Sequence, residues 1–466
     1  MFGWHPFAQD ASHVSGSLSK GLSAGEQQPR RFAGVPTHES VLRRSAPALS
    51  LPGKTPPCRG WRLFPSTPQR FMPYLDSIFV PGNTCAEPCD IISEDIISTS
   101  AQRTKAFLSR IGLQYNITLS ANYTGLPRRF RGQRRDFLAF NNVANFTWFL
   151  AKDCDNRSGI FLSVEADWGQ GVHFSEKRAD AQGSIGSLSN PQGIIRGGSG
   201  VFIPNLALGC SAVDGKWVGM IGTIDTTDFL DQNAYSASWN GNLMNEAFNF
   251  NPCLPLEWSN WGYLTAWQPT KNFYTMYATT GCNGKINHNP FPFISSRAWV
   301  HISELGLITE DFLGLGPGTF RFQYTITRYK ARNGSGAAIN FQQQLGHDSR
   351  LGFFTRCGVM DEDAAAVNNV RACVTTGLVL QAPFRSRGWG STANNDQVAL
   401  GLLWERAAQS AKPHVHKDEY GIELSAVMQL TPTFFLQPDV QYIFNPVHET
   451  HRSGALVLQL QGVYRF

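Results

Sequence analysis

Polar and charged side chains recur at two-residue spacing along short stretches of this chain. Glu165 and Asp167, Arg321 and Gln323, Glu419 and Glu423, and the run Gln437, Asp439 and Gln441 each sit opposite an apolar row. Gln459 adds a further member near the C-terminus. Residues i and i+2 share one face of a strand, so each set projects the same way. Carboxylates accept hydrogen bonds, arginine donates them and amides do both. That mixture of signs suits a neutral polyol better than an ion. No HExxH, G-x-S-x-G, phosphate-loop or dinucleotide pattern occurs in a suitable context. The chemistry on offer is reversible hydrogen bonding, with no catalyst, cofactor or metal site implied.

Strands must position these rows. Residues 112–125, GLQYNITLSANYTG, place Leu113, Tyr115, Ile117, Leu119, Ala121 and Tyr123 on one side and Gln114, Asn116, Thr118, Ser120, Asn122 and Thr124 on the other. In a soluble sandwich the apolar side would be the core. In a membrane barrel it would meet lipid while the polar side lines a lumen. Alternating segments recur near 113–124, 135–151, 158–168, 198–210, 215–226, 257–268, 272–281 and 296–308, then 318–330, 335–345, 349–358, 370–381, 395–406, 418–430, 434–444 and 454–466. These give about sixteen strands, each near the ~9–11 residues that a tilted membrane strand needs. Short links such as SAVDGK, QPTKN, GHDS and TPT contrast with long ones at 169–197, 227–256, 359–369 and 407–417, the rhythm of short periplasmic turns and long outer loops.

Composition agrees with a lipid exterior. Charged residues make up 16% of 466, below the usual ~25%, whereas Phe (32) and Trp (12) are plentiful. The net charge of +5 is thinly spread and gives no case for nucleic acid. No run of ~18 apolar residues occurs, so any crossing of a bilayer is by closed barrel. Residues 1–90 are rich in Arg, Pro, Ser and Gly, open without an apolar signal core, and read as a disordered extension. Residues 91–112 suggest a short periplasmic helix, and 113–466 the barrel. The last strand, ALVLQLQGVYRF, carries aromatics to the final residue, and its terminal Phe466 resembles the signal read by the outer-membrane barrel-assembly machinery.

Three stretches carry a family resemblance. TPTFFLQPDVQYIFNP (431–446) with SGALVLQLQGVYRF resembles the closing hairpin of the OprB-type carbohydrate-selective porins. Residues 222–252, GTIDTTDFLDQNAYSASWNGNLMNEAFNFNP, are similar to that family's long loop after the fifth strand. PGTFRFQYTITRY (317–329) resembles its Gly-x-Tyr-Arg strand, with Phe320 in place of the Tyr. The resemblance extends over roughly residues 92–466. It implies a sixteen-stranded barrel in the bacterial outer membrane, monomeric or trimeric, passing glucose and related small saccharides by diffusion. An occluded adhesive barrel and a soluble carbohydrate-binding β protein are the alternatives.

On that resemblance the 227–256 loop folds inward as a constriction. Asp225, Asp228, Asp231, Asn233, Asn245 and Glu246 would then face wall arginines such as Arg135 and Arg321. Topology suggests three cysteine pairs: Cys253 with Cys282, Cys357 with Cys373, and Cys154 with Cys210. RRFRGQRR (128–135) reads as a solvated charge run. His414, His416, His448 and His451 read as ordinary loop histidines. The sequons at Asn116, Asn122 and Asn145 fall inside strands, and with Asn156 and Asn333 are chance matches.

Overall fold

A computed structural model describes residues 61–63, 96–128, 135–153, 158–172, 181–193, 200–236, 241–256, 260–282, 298–346, 349–383, 396–412, 415–431, 433–449 and 452–466. The chain divides into two compact units; one comprises Met1–Phe7 and Trp61–Phe466, and the other, Ala8–Gly60, lies outside the described residues. All that follows concerns the first.

Its strands are β1 (Trp61–Leu63), β2 (Leu113–Gly125), β3 (Asp136–Asp153), β4 (Gly159–Val172), β5 (Gly200–Ala212) and β6 (Trp217–Ile224). There follow β7 (Asn260–Thr270), β8 (Phe273–Gly281), β9 (Trp299–Thr309), β10 (Gly318–Tyr329), β11 (Arg332–Gln344) and β12 (Leu351–Met360). The last are β13 (Val370–Gln381), β14 (Gln397–Ala407), β15 (Asp418–Gln429), β16 (Phe434–Phe444) and β17 (Gly454–Arg465). Each of β2 to β17 overlaps one expected segment. Helix α1 (Ile96–Ser109) occupies most of the segment read as helical, and short helices α2 (Ala181–Ile185), α3 (Glu246–Asn249) and α4 (Glu362–Ala365) lie in connections.

Strands β2 to β17 pair antiparallel in chain order, and β17 pairs with β2 to close the ring. Closure leaves no free edge, which is what lipid demands of a sheet. The final residue takes part: the Ile117 N–H donates to the Phe466 carbonyl at 2.8 Å, and the Phe466 N–H to Ile117 at 3.0 Å. Beside this seam the rings of Phe434 and Tyr464 pack at a 34° tilt with centroids 4.6 Å apart. A difference from expectation lies upstream, where Trp61–Leu63 forms β1 against Asp153–Ala151 of β3.

The faces decide between sandwich and membrane barrel. On β10, Phe320, Phe322, Tyr324 and Ile326 are exposed at 40–48%, while Arg321, Gln323, Thr325 and Thr327 are at most 1% exposed. On β2, Tyr123 is exposed while Asn116, Thr118, Ser120, Asn122 and Thr124 are buried. A water-soluble sandwich buries its apolar rows; this sheet buries its polar ones. An apolar exterior this extensive has lipid as its solvent. The buried sequon asparagines Asn116, Asn122 and Asn145 are part of the interior.

Candidate functional site: a lumen crossed by two loops

Two connections fold into the ring. The first, between β6 and β7, begins at Asp225, whose carboxylate accepts from the Thr227 N–H at 2.9 Å and caps a short 3₁₀ turn. The Asp225 N–H donates to Asn205 on β5 at 2.7 Å. The Asn205 amide in turn donates to Glu165 on β4 at 2.6 Å and to Asp228 at 2.5 Å. Burial, and then the neighbouring Glu165 charge, hold the Asp228 carboxyl well above the ordinary range. The Asp228 carboxyl therefore favours its protonated form.

Three residues on, Asp231 makes the densest set of contacts. Its carboxylate meets Arg356 Nε of β12 at 2.9 Å, with both side chains fully buried. It also accepts from Asn340 on β11 at 2.7 Å, from Gln323 on β10 at 3.1 Å and from the Asn251 N–H at 2.6 Å. The Asp231 N–H donates to Glu304 on β9 at 2.8 Å. Arg356 further donates to the Ser236 hydroxyl at 2.7 Å and the Phe248 carbonyl at 2.8 Å. Asn233 donates to Asn340 at 2.7 Å. At the far end of the loop, Met244 and Asn245 present their N–H groups to the carboxylate of Glu423 on β15, the latter at 3.1 Å. The Asn245 side chain caps α3 and donates to Gln441 on β16 at 3.2 Å. Gly401 makes room for this arm: a Cβ there would lie 2.6 Å from the Phe248 ring.

The second connection, residues 181–193, lies between β4 and β5 and reaches the opposite side of the seam. The Pro191 carbonyl accepts from Gln441 at 2.8 Å and Gln459 at 2.7 Å, and both amides also donate to Asp439. Gln192 donates to Thr124 on β2 at 2.9 Å. Leu188 and Ser189 donate to Glu419 and Glu405. The two loops join where the Glu246 N–H donates to the Asn190 carbonyl at 2.9 Å and the Asn190 N–H to the Glu246 carboxylate at 3.2 Å. Burial pushes the Glu246 carboxyl up to about 7.

Glu165, Asp167, Arg321, Gln323, Glu423, Gln437, Asp439 and Gln441 are all inward and at most 2% exposed. Most of them grip the loops: Gln437, for example, donates to the Asn242 carbonyl at 2.9 Å. Arg321 takes a different partner from the one expected. Its Nε donates to Tyr274 at 3.0 Å, and Tyr274 donates to Glu304 at 2.7 Å. Arg135 is exposed on the β2–β3 connection, where its carbonyl accepts from the Leu126 N–H at 2.6 Å. The arginine that meets the loop carboxylate is Arg356, which the sequence reading passed over. Glu304, Asn340 and Asn205 carry no such expectation either, and 181–193 was expected only as part of a long connection, 169–197, not as an inward loop. Alternation in LGFFTRCGVM places Arg356 on the inward row with Gly352 and Phe354, and that was the signal available for it.

The cysteine expectations need correction. In this structure the thiols of Cys253, Cys282, Cys357, Cys373 and Cys210 stand reduced. Cys357 pairs opposite Val374, and Cys373 opposite Gly358, so the two thiols leave the sheet on opposite faces. The Cys282 thiol donates to the Arg328 carbonyl at 3.3 Å, whereas Cys253 packs with Cys373. Cys154 lies outside the described residues, as do 129–134 of the basic run, His414 and His451.

Residues 313–466, which hold β10 to β17, match the model described as carbohydrate-selective porin, OprB family. The match spans the closing half of the barrel and about a third of the chain. The match begins well after the expected start near residue 92. A solved structure, the high-pH form of Pseudomonas putida OprB, is similar over 83% of this chain and 100% of that one, with 15% identity and a TM-score of 0.61. A Rhodopseudomonas blastica porin triple mutant is similar over 76% of this chain and 100% of that one, at 11% identity and a TM-score of 0.47. No curated protein matches the chain. The fold is that of an outer-membrane porin, closed in sixteen strands, with the family's sequence in its second half.

Proposed function

We propose that this porin passes small carbohydrates such as glucose by passive diffusion across the bacterial outer membrane, through a lumen that the two inward loops narrow. The observation that carries this reading is the first loop's reach. It bonds to β4 and β5 through Asn205 and to β12 through Arg356, and β4 and β12 are eight strands apart around the ring in either direction. A loop fixed at such separated points sets an aperture by size. Amides that donate and accept, and carboxyls that accept, replace part of a sugar's hydration shell around it and release it again, since such hydrogen bonds exchange with water at little net cost. No catalytic step is needed. The wall set Glu165, Asp167, Arg321, Gln323, Glu423, Gln437, Asp439 and Gln441 lines the pore in this reading, with Gln323, Glu423, Gln437 and Gln441 also holding the loops. Outer-membrane lipid and, through the strand ending at Phe466, the assembly machinery are its partners. Monomer and homotrimer both fit a closed barrel.

Liposome swelling with purified protein tests the reading, using glucose, maltose, a large oligosaccharide and a charged amino acid. Fast entry of the two small sugars with exclusion of the oligosaccharide supports it. The deep burial of both loops favours one second reading, a surface barrel with an occluded lumen. Correctly inserted, heat-modifiable protein that gives no swelling would select that alternative.

A further inference from the structure

We propose that Cys253 and Cys373 form a disulfide that ties the β6–β7 loop to the barrel wall. Cys253 lies in the returning arm of the loop and Cys373 on the inward face of β13, at 0% and 1% exposure. One side chain, Asn251, organises both. Its carbonyl oxygen accepts from the Cys253 N–H at 3.0 Å and from the Cys373 thiol at 3.0 Å, while its amide donates to the Cys357 carbonyl at 3.1 Å. Gly358 is the direct cross-strand partner of Cys373. A Cβ on Gly358 would stand 2.5 Å from the Cys253 Cβ and 3.3 Å from its Sγ. Cys253 therefore occupies the space beside Cys373 that a side chain at 358 would fill. The two side chains share one buried apolar cluster. A disulfide needs Cβ atoms about 3.5–4.5 Å apart, and Cys253 sits against the point from which a side chain at 358 would face Cys373.

The surroundings bear on when the bond forms. Met360, Ala364, Ala365, Val370 and Ala408 pack about the pair and exclude water. A thiol so enclosed is inert to small oxidants. The bond then forms as the loop docks, before closure. One thiolate attacks the disulfide of a periplasmic dithiol–disulfide oxidase and makes a mixed disulfide; the second thiolate displaces the oxidase. One S–S bond is made and the oxidase's S–S bond is broken; the oxidase takes both electrons and the two thiol protons to become a dithiol. The outward-facing Cys357 cannot compete, because β12 holds it on the lipid side.

Full-length porin from outer membranes, acid-trapped and alkylated in denaturant without reductant, gives the direct test. Digestion and mass spectrometry are expected to show a Cys253–Cys373 linked peptide that separates with dithiothreitol. Finding both cysteines alkylated, or Cys253 joined to any other cysteine, would overturn the proposal. In planar bilayers, porin reduced with dithiothreitol in denaturant and refolded should show loop-opening conductance steps several-fold more often than unreduced porin refolded in the same way. Cys253→Ser and Cys373→Ser should match the reduced protein and ignore the reductant. The mass readout is independent of which solute passes, so a failed swelling assay leaves it intact.

Discussion

Arg356 on the wall and Asp231 on the loop meet at 2.9 Å with neither side chain reaching solvent. Asp231 adopts a positive φ of 59°, a strained conformation for a residue with a Cβ. The bonds around it therefore hold the backbone as well as the charge. The wall carries the cation and the loop carries the anion, so neither segment tolerates the other's departure.

Removing one partner leaves an uncompensated buried charge, which costs about 3–5 kcal/mol. Arg356→Met and Asp231→Asn should each release the loop. The expected result is a larger unit conductance and entry of the oligosaccharide that the native protein excludes. The double variant Arg356→Met, Asp231→Leu should lose less than the sum of the singles, because an apolar pair leaves no orphan charge. Planar-bilayer conductance and the unfolding temperature of heat-modifiable protein measure both effects. Additive losses would mean that the pair does not hold the loop.

The ring itself was legible because period-two alternation encodes it directly: Phe320, Phe322, Tyr324 and Ile326 against Arg321, Gln323, Thr325 and Thr327 state both the strand and its faces. What the alternation leaves open is which face meets water, and the aromatic run to Phe466 tipped that balance. The loops were legible only as lengths. Nothing in 181–193 marks it as an inward segment, because its hold rests on backbone carbonyls such as Pro191 and on wall amides far away in sequence. Arg356 escaped notice for a related reason. A buried arginine between Phe354 and Gly358 gains its meaning from a loop over a hundred residues upstream. The cysteine pairs were chosen by hairpin neighbourhood, and loop docking brought Cys253 to a different strand.

Glu423 offers a second handle on the loop. Its carboxylate receives the N–H groups of Met244 and Asn245. Glu423→Ala strands two buried donors, at about 1–3 kcal/mol each. Limited proteolysis of the inserted protein should then cleave within 241–256 at a clearly raised rate. Glu423→Gln keeps one acceptor and should fall between the two. Equal protection in all three proteins would count against this anchor.

The joint between the loops should respond to pH. Seated, the Glu246 carboxyl titrates at about 7, against 4.5 when free. Between those values the seated loop holds a proton that the released loop has given up. Rising pH through this window therefore weakens seating, and falling pH restores it. Loop-opening events in single-channel records should grow several-fold more frequent from pH 5 to pH 8. Glu246→Gln should flatten that dependence without abolishing conductance. A slope that survives in the variant would assign the titration elsewhere.

Neighbouring residues on the last strand should fail in different ways. Leu458 is 40% exposed on the apolar exterior, whereas Gln459 is 5% exposed and donates to the Pro191 carbonyl at 2.7 Å. A lysine or arginine facing lipid at mid-bilayer costs about 2–4 kcal/mol. Leu458→Arg should therefore lower the fraction of protein that assembles into vesicles, as read by heat-modifiability on gels. Gln459→Leu places an apolar group inside a closed ring and should leave assembly near normal. It should instead loosen 181–193 and alter conductance, since the Pro191 carbonyl loses one of its two donors. The contrast arises from one step along a strand, where a single residue separates lipid from lumen. Matching assembly defects in the two variants would contradict the orientation of the sheet.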